Sequence, residues 1–223
     1  MRFHERLAAT TVFGALLAAT FALPGAARAQ QAGKWTVDAR GGIAVPASDL
    51  SDLENVGGNA AVGVAYWVHP RIALRVDGSV DLLSGKDSSD QGVLVAQVPD
   101  MTLWHYVGGL EFRLTPPEAT RWDVTVNLEA GATTMDTDDD PIFTTGPGGG
   151  PDFTQTYFSG NGGLRAGYWV TPRVNVFVSG QAHLIATDEQ DTRVFSAFSS
   201  DVDPSGFSSG WTFPVQAGVK VSI

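Results

Sequence analysis

The chain has 223 residues, of which 24 are acidic and 14 are lysine or arginine, giving a formal net charge of −10, and it contains no cysteine. A chain of this length suits one domain, and without cysteine no disulfide contributes to its stability. The acidic balance argues against nucleic acid as a partner, because phosphate groups would repel it.

The N-terminus has the features of a secretory signal peptide. A basic start is followed by an almost wholly apolar stretch over residues 7–23, and Ala-Arg-Ala at residues 27–29 offers a cleavage site between small residues. A membrane-spanning helix is the alternative, but the apolar stretch is short and ends at Pro24. We therefore predict a cleaved signal peptide over residues 1–29 and a single domain over residues 30–223.

After the signal peptide, eight stretches alternate apolar with polar residues, as antiparallel strands do. They begin near Trp35, Gly63, Ile72, Trp104, Trp122, Thr154, Val174 and Trp211. Three short turns and four long, mostly acidic connections alternate between these strands, so short and long connections lie at opposite ends. Val93-Leu94-Val95, within one long connection, is expected to extend a neighbouring strand.

One hairpin sequence occurs twice, as Tyr-Trp-Val-x-Pro-Arg at residues 66–71 and 168–173. Proline presets one backbone angle of a turn, so each copy predicts two strands joined by a three-residue x-Pro-Arg turn. In the first copy this register sets Val68 opposite Ile72 and Tyr66 opposite Leu74. In the second copy it sets Gly167 opposite Phe177, with the aromatic ring covering the glycine.

Two further expectations concern register and strand ends. The fourth and fifth strands are expected to place Arg113 directly across from Asp123. Because proline removes a ladder hydrogen bond, Pro214 is expected at the rim or in a bulge of the eighth strand, leaving residues 215–223 as the spanning part.

One face of the predicted strands is polar and carries both signs of charge in comparable number, which suits an internal ion network. The residues of this predicted network are Asp38, Arg40, Arg75, Asp77, Glu111, Arg113, Asp123, Glu129, Arg165 and Lys220. The opposite face is rich in Val, Leu, Ile and Ala. A polar interior with an apolar exterior is typical of a membrane barrel, whereas a soluble sandwich or lipocalin has the reverse arrangement.

Aromatic residues on the apolar face form two predicted belts, as at the two interfaces of a bilayer. Trp35, Tyr66, Phe112, Trp122 and Tyr168 lie toward the short turns, and Tyr106, Phe158, Trp211 and Phe213 lie toward the long connections. With the signal peptide, the eight alternating strands and the Pro-bearing turns, the chain resembles the OmpA/OmpX-like family of small eight-stranded bacterial outer-membrane proteins. The resemblance implies an all-β, antiparallel, up-and-down transmembrane barrel.

The resemblance also implies localisation in the bacterial outer membrane, as a monomer with a structural or surface-interaction role. The partners it implies are membrane lipid and lipopolysaccharide, the barrel-assembly machinery and a surface ligand that would bind the loops. Since eight strands leave room only for side chains, we expect the ion network to plug the lumen.

Two other functions are weighed against this one. The first is a soluble, secreted, lipocalin-like carrier of an apolar ligand. The second is a lipid A-modifying enzyme that would use His183, but a polar lumen network is the favoured interpretation of His105 and His183. Asp136, Asp138, Asp139 and Asp140 lack the spacing of a calcium loop and are interpreted as solvated. The sequence thus predicts no catalytic residue, cofactor or metal site.

Overall fold

The structure is a computed structural model, and it describes residues 33–48, 50–90, 93–97, 100–116, 121–137, 153–186 and 209–223. The elements are β1 (Trp35–Ser48), α1 (Leu50–Leu53), β2 (Glu54–His69), β3 (Ile72–Gly85), β4 (Asp87–Asp90), β5 (Val93–Gln97), β6 (Met101–Arg113), β7 (Trp122–Thr137), β8 (Phe153–Trp169), β9 (Val174–Ala186) and β10 (Ser209–Ser222). Within the described residues, no helix has the length and apolar character needed to span a membrane. The predicted signal peptide lies outside these residues.

Eight strands close into one barrel in the order β1-β10-β9-β8-β7-β6-β3-β2. Every neighbouring pair is antiparallel, and each strand lies beside the barrel strand that precedes it in the chain. Pairing of β1 with β10 closes the barrel, and the Ile223 N–H donates to the Trp35 carbonyl at 2.9 Å near that seam. The predicted eight-stranded, up-and-down antiparallel barrel is confirmed.

The barrel is apolar outside and charged inside. Many large apolar side chains on the outer face are well exposed, for example Val76 and Phe158 at 65% each. The ten charged residues of the predicted network all point inward, and the most exposed of them reaches only 7%. Because a strand presents successive side chains to opposite faces, alternation in the sequence is enough to produce this separation.

The height of the apolar band follows from β8. Phe158 and Tyr168 both point outward, with exposed fractions of 65% and 36%, and lie ten residues apart on this strand. At about 3.4 Å per residue and a tilt of about 40°, they are separated by about 26 Å along the barrel axis. The apolar band of an outer-membrane barrel is about 25 Å tall.

The first hairpin differs from its predicted register at the turn. Tyr66 pairs with Leu74 as predicted, but His69, rather than Val68, pairs with Ile72, and the register shifts between Trp67 and His69. Val68 is therefore the extra residue of a bulge, and the turn is shortened to Pro70 and Arg71.

In the second hairpin Gly167 pairs with Phe177, as predicted. The ring of Phe177 nevertheless lies against Gly218 of β10, where a Cβ added to the glycine would lie 2.7 Å from Cζ of the ring. A Cβ at Gly167 would instead meet the side chain of Asn175. The predicted pairing is thus confirmed, and the Phe177 ring also contacts the other neighbouring strand, at Gly218.

Two other predicted placements are wrong. Arg113 pairs with Thr125, not with Asp123, because the turn between β6 and β7 shifts the register by two residues. Residues 93–95 belong to β5, which pairs with β4 in a separate two-stranded sheet rather than extending the barrel.

Pro214 lies within β10 without a register shift. It pairs with Ala44 of β1, whereas the ladder between β10 and β9 is interrupted at Phe213 and Pro214. The structure thus has no bulge at Pro214, and pairing is lost only on the side of β9. Such a gap is expected for a residue without an N–H group. Its neighbour Phe213 belongs to the predicted aromatic belt toward the long connections.

A charge at the middle of the outer face tests the orientation of the two faces. Leu164, 53% exposed, lies between Phe158 and Tyr168 on β8. We expect Leu164→Arg to lower the free energy of unfolding in lipid vesicles by about 2–4 kcal/mol, because arginine would be buried near the bilayer midplane. The control Val170→Arg, at the turn and 54% exposed, should cost about 0–1 kcal/mol. Equal losses in guanidinium titrations of both variants would contradict this orientation.

Candidate functional site

The candidate site is the lumen, whose side chains form layers along the barrel axis. Trp67 and Trp169, 0% and 7% exposed, lie near the short turns. The charged network follows, and then a layer with two histidines. Eight buried residues form an apolar cluster toward the long connections: Ala44, Leu50, Leu83, Met101, Leu103, Met135, Tyr157 and Ile185. This inner apolar layer was not predicted from the sequence.

Arg75 of β3 is the centre of the charged network. Its guanidinium nitrogens lie 2.8 Å from Asp38, 3.0 Å from Glu111 and 3.3 Å from Glu129. Asp77, two residues along the same strand, accepts a bond from Nη2 at 2.8 Å. The planar guanidinium offers five donors, so it can hold several carboxylates that lysine could not hold at once.

Space for this arginine comes from Gly63 of β2, which pairs with Asp77. A Cβ at Gly63 would collide with the guanidinium of Arg75 and the carboxylate of Asp77. Glycine therefore allows the two charged side chains to lie against the β2 backbone.

The other cations connect the rest of the barrel wall to this centre. Arg40 lies 2.7 Å from both Asp38 and Asp77. Lys220 of β10 lies 2.6 Å from Asp123 and 3.6 Å from Glu111, and Arg165 lies 3.4 Å from Asp38. Most of these contacts link strands that are distant in sequence, so the network ties the wall together across the lumen.

Arg113 joins the network to the aromatic floor. Its Nε lies 2.8 Å from Asp123, although the two residues are not register partners. Its guanidinium also lies over Trp67, 3.8 Å from the ring centroid, a favourable cation–π position. The long side chain thus offsets the two-residue register difference that separates it from Asp123.

The structure brings all ten residues of the predicted network into one connected set of ion pairs. The set has five carboxylates, Asp38, Asp77, Glu111, Asp123 and Glu129, and five cations, Arg40, Arg75, Arg113, Arg165 and Lys220. With every group ionised, the network is neutral although the chain carries −10. Neutrality matters because an unpaired buried charge is costly.

The predicted belt residues lie on the outer face of the barrel. Toward the short turns, Trp35 packs on Tyr66 with ring centroids 4.9 Å apart, and Trp122 packs on Tyr168 at 5.4 Å. Toward the long connections, Trp211 and Phe213 are 6.1 Å apart and nearly parallel. Phe112 is partly exposed, while Tyr106 and Phe158 are well exposed. Amphipathic rings in these positions suit the headgroup level of a bilayer.

His105 and His183 both face the lumen, with ring centroids 4.4 Å apart. His105 contacts Thr133 Oγ1 through Nδ1 at 2.7 Å and Asp81 Oδ2 through Nε2 at 3.2 Å. Sequence reasoning did not identify Asp81 as part of this group. Asp77, Ser79 and Asp81 occupy alternate positions of β3 and therefore share its inner face. This alternation could have identified Asp81 from the sequence.

Comparison with solved structures places the fold among small outer-membrane barrels. Neisserial surface protein A has a TM-score of 0.58 and 15% sequence identity, over 84% of this chain and 96% of that one. The attachment invasion locus protein of Yersinia pestis, in complex with the heparin analogue sucrose octasulfate, has a TM-score of 0.52 and 13% identity, over 86% and 100%. The chain has the fold of the small eight-stranded outer-membrane barrels. No protein-family model and no curated protein matches its sequence.

Removal of the central arginine tests the network. We expect Arg75→Met to lower the free energy of unfolding by about 3–5 kcal/mol in detergent micelles, because several buried carboxylates lose their shared partner. The control Arg71→Met changes an exposed arginine of the adjacent turn and should stay within about 0.5 kcal/mol of wild type. Unfolding curves for Arg75→Met that overlay wild type would show that the network does not stabilise the barrel.

Proposed function

We propose that this protein is an integral protein of the bacterial outer membrane with a structural or surface-interaction role and a lumen plugged by its ion network. The observation that carries the proposal is the combination of an apolar outer face with an interior that holds a balanced network of ten paired charges. Such an exterior is stable in hydrocarbon, and side chains of eight strands are enough to fill the interior. Outer-membrane localisation is supported by the fold of the structural neighbours.

The two alternative functions fit the geometry less well. A lipocalin-like carrier requires an apolar cavity, but charged side chains occupy the middle of this lumen. An enzyme acting on lipid A would need its base within reach of lipid, whereas His183 is 2% exposed and faces the lumen. The proposed role is therefore not catalytic, and membrane lipid with lipopolysaccharide surrounds the barrel.

In the proposed orientation, both termini and the short turns lie in the periplasm and the long connections lie outside the cell. The barrel-assembly machinery would insert the protein, which would then act as a monomer. In this orientation the long connections would face the medium, so a surface ligand would bind there.

The charge of the long connections indicates the kind of surface ligand. Residues 138–152 contain four aspartates and no basic residue, and residues 187–208 contain five acidic residues against Arg193. The Yersinia protein was solved with a polyanionic heparin analogue. This chain, in contrast, would repel polyanions, so its surface ligand is expected to be cationic.

Cysteine labelling in intact cells tests the location and orientation together, because the chain has no cysteine of its own. A membrane-impermeant maleimide should label Gly148→Cys, in the connection between β7 and β8. Arg173→Cys, in the turn between β8 and β9, should react only after the outer membrane is opened. Labelling of Arg173→Cys but not Gly148→Cys in intact cells would reverse the orientation. Absence of both variants from the membrane fraction would refute the proposal.

A further inference from the structure

A second group of titratable side chains lies in the lumen beyond the ion network. Asp81, His105 and His183 are 0%, 1% and 2% exposed. One ligand atom of each residue lies within 4.8 Å of the corresponding atoms of the other two. Two imidazole nitrogens and one carboxylate oxygen form a donor set that zinc and related divalent ions use in proteins.

The hydrogen bonds of His183 leave one ring nitrogen directed at no partner. Nε2 lies 3.1 Å from Gln181 Oε1, an acceptor, and this contact favours the tautomer with its proton on Nε2. Nδ1 of the neutral ring then holds a lone pair, and no described residue donates to it although the atom is fully buried. An unpartnered, deprotonated imidazole nitrogen is the form of histidine that binds a metal.

The other two donors are already held in position by neighbouring polar groups. Thr133 Oγ1 contacts Nδ1 of His105, which leaves Nε2 directed toward Asp81. Asp81 accepts hydrogen bonds from Thr212 Oγ1 at 2.9 Å and from Asn59 Nδ2. Groups in such outer positions fix the orientation of metal ligands.

Charge provides an independent argument. Among the described residues, no lysine or arginine forms an ion pair with Asp81, and the balanced ten-residue network does not include it. A buried carboxylate without a cationic partner is costly. A divalent cation held by Asp81, His105 and His183 would compensate this charge.

From these observations, we propose that Asp81, His105 and His183 form a zinc-binding site that joins opposite walls of the barrel. Asp81 on β3 and His183 on β9 lie on strands four positions apart in the ring of eight. The donors would draw together, since ligands of tetrahedral zinc are about 3.3 Å apart when each bond is about 2.0 Å. Water would supply the fourth ligand. The proposal depends only on the barrel fold, not on the proposed surface role.

The test uses untagged mature protein refolded in detergent with zinc and then passed over a chelating resin. Wild type should retain one zinc per barrel, measured by elemental analysis. His105→Gln, His183→Gln and Asp81→Asn should each bind zinc at least about tenfold more weakly than wild type. Removing a group that only orients a metal ligand already costs about that much affinity. The control His69→Gln changes an exposed histidine at the short-turn end and should retain zinc as wild type does.

Wild type that retains no more zinc than His183→Gln, or a His69→Gln variant that loses its zinc, would overturn the proposal. Heat-dependent gel mobility reports whether each variant is folded. Where a ligand variant does not fold, cobalt-loaded wild type decides the question. Visible absorption typical of four-coordinate cobalt supports the site, and its absence refutes it.

Discussion

The structure depends on one constraint: the ten charges of the ion network, which are enclosed within the barrel, must neutralise each other. Arg75 meets most of this requirement, because its guanidinium contacts four carboxylates on four strands. Four further cations complete a neutral set of ten charged residues. Buried ion pairs are not in themselves strongly stabilising, but the removal of one partner is costly. An arrangement that separated these partners would leave buried charges unpaired and would therefore be costly.

Neutrality of the ten-residue network has a consequence for the rest of the chain. Since the network contributes no net charge, the excess of acidic residues lies elsewhere, and the long connections contain much of it. The two ends of the barrel thus have different chemistry, with Pro-Arg turns at one end and acidic segments at the other. Between them, the lumen changes from aromatic floor to ion network, then to the histidine layer and the inner apolar cluster. Specific binding at the surface and metal binding in the lumen would be separate properties of one barrel.

Much of the fold and all ten network residues could be predicted from the sequence, because alternation assigns each strand residue to a face. Register was predicted correctly for Tyr66 with Leu74 and for Gly167 with Phe177, but it was wrong by two residues between β6 and β7. Bulge formation at Val68 and the longer turn before Asp123 depend on local backbone geometry that residue types do not specify. Leu83 and Leu103 are apolar yet point inward, so polarity alone assigns them to the wrong face. The group of Asp81 with His183 arises only when the barrel closes, since the two residues are 102 positions apart in the chain.

Ion flux through the refolded barrel is the most direct test of a lumen closed by paired charges. Liposomes that contain the barrel, with heat-dependent gel mobility as proof of folding, should release trapped potassium no faster than empty liposomes. Eight strands provide little room beyond that filled by the side chains of the network. A potassium flux that rises in proportion to the number of folded barrels per liposome would show an open channel and contradict the account.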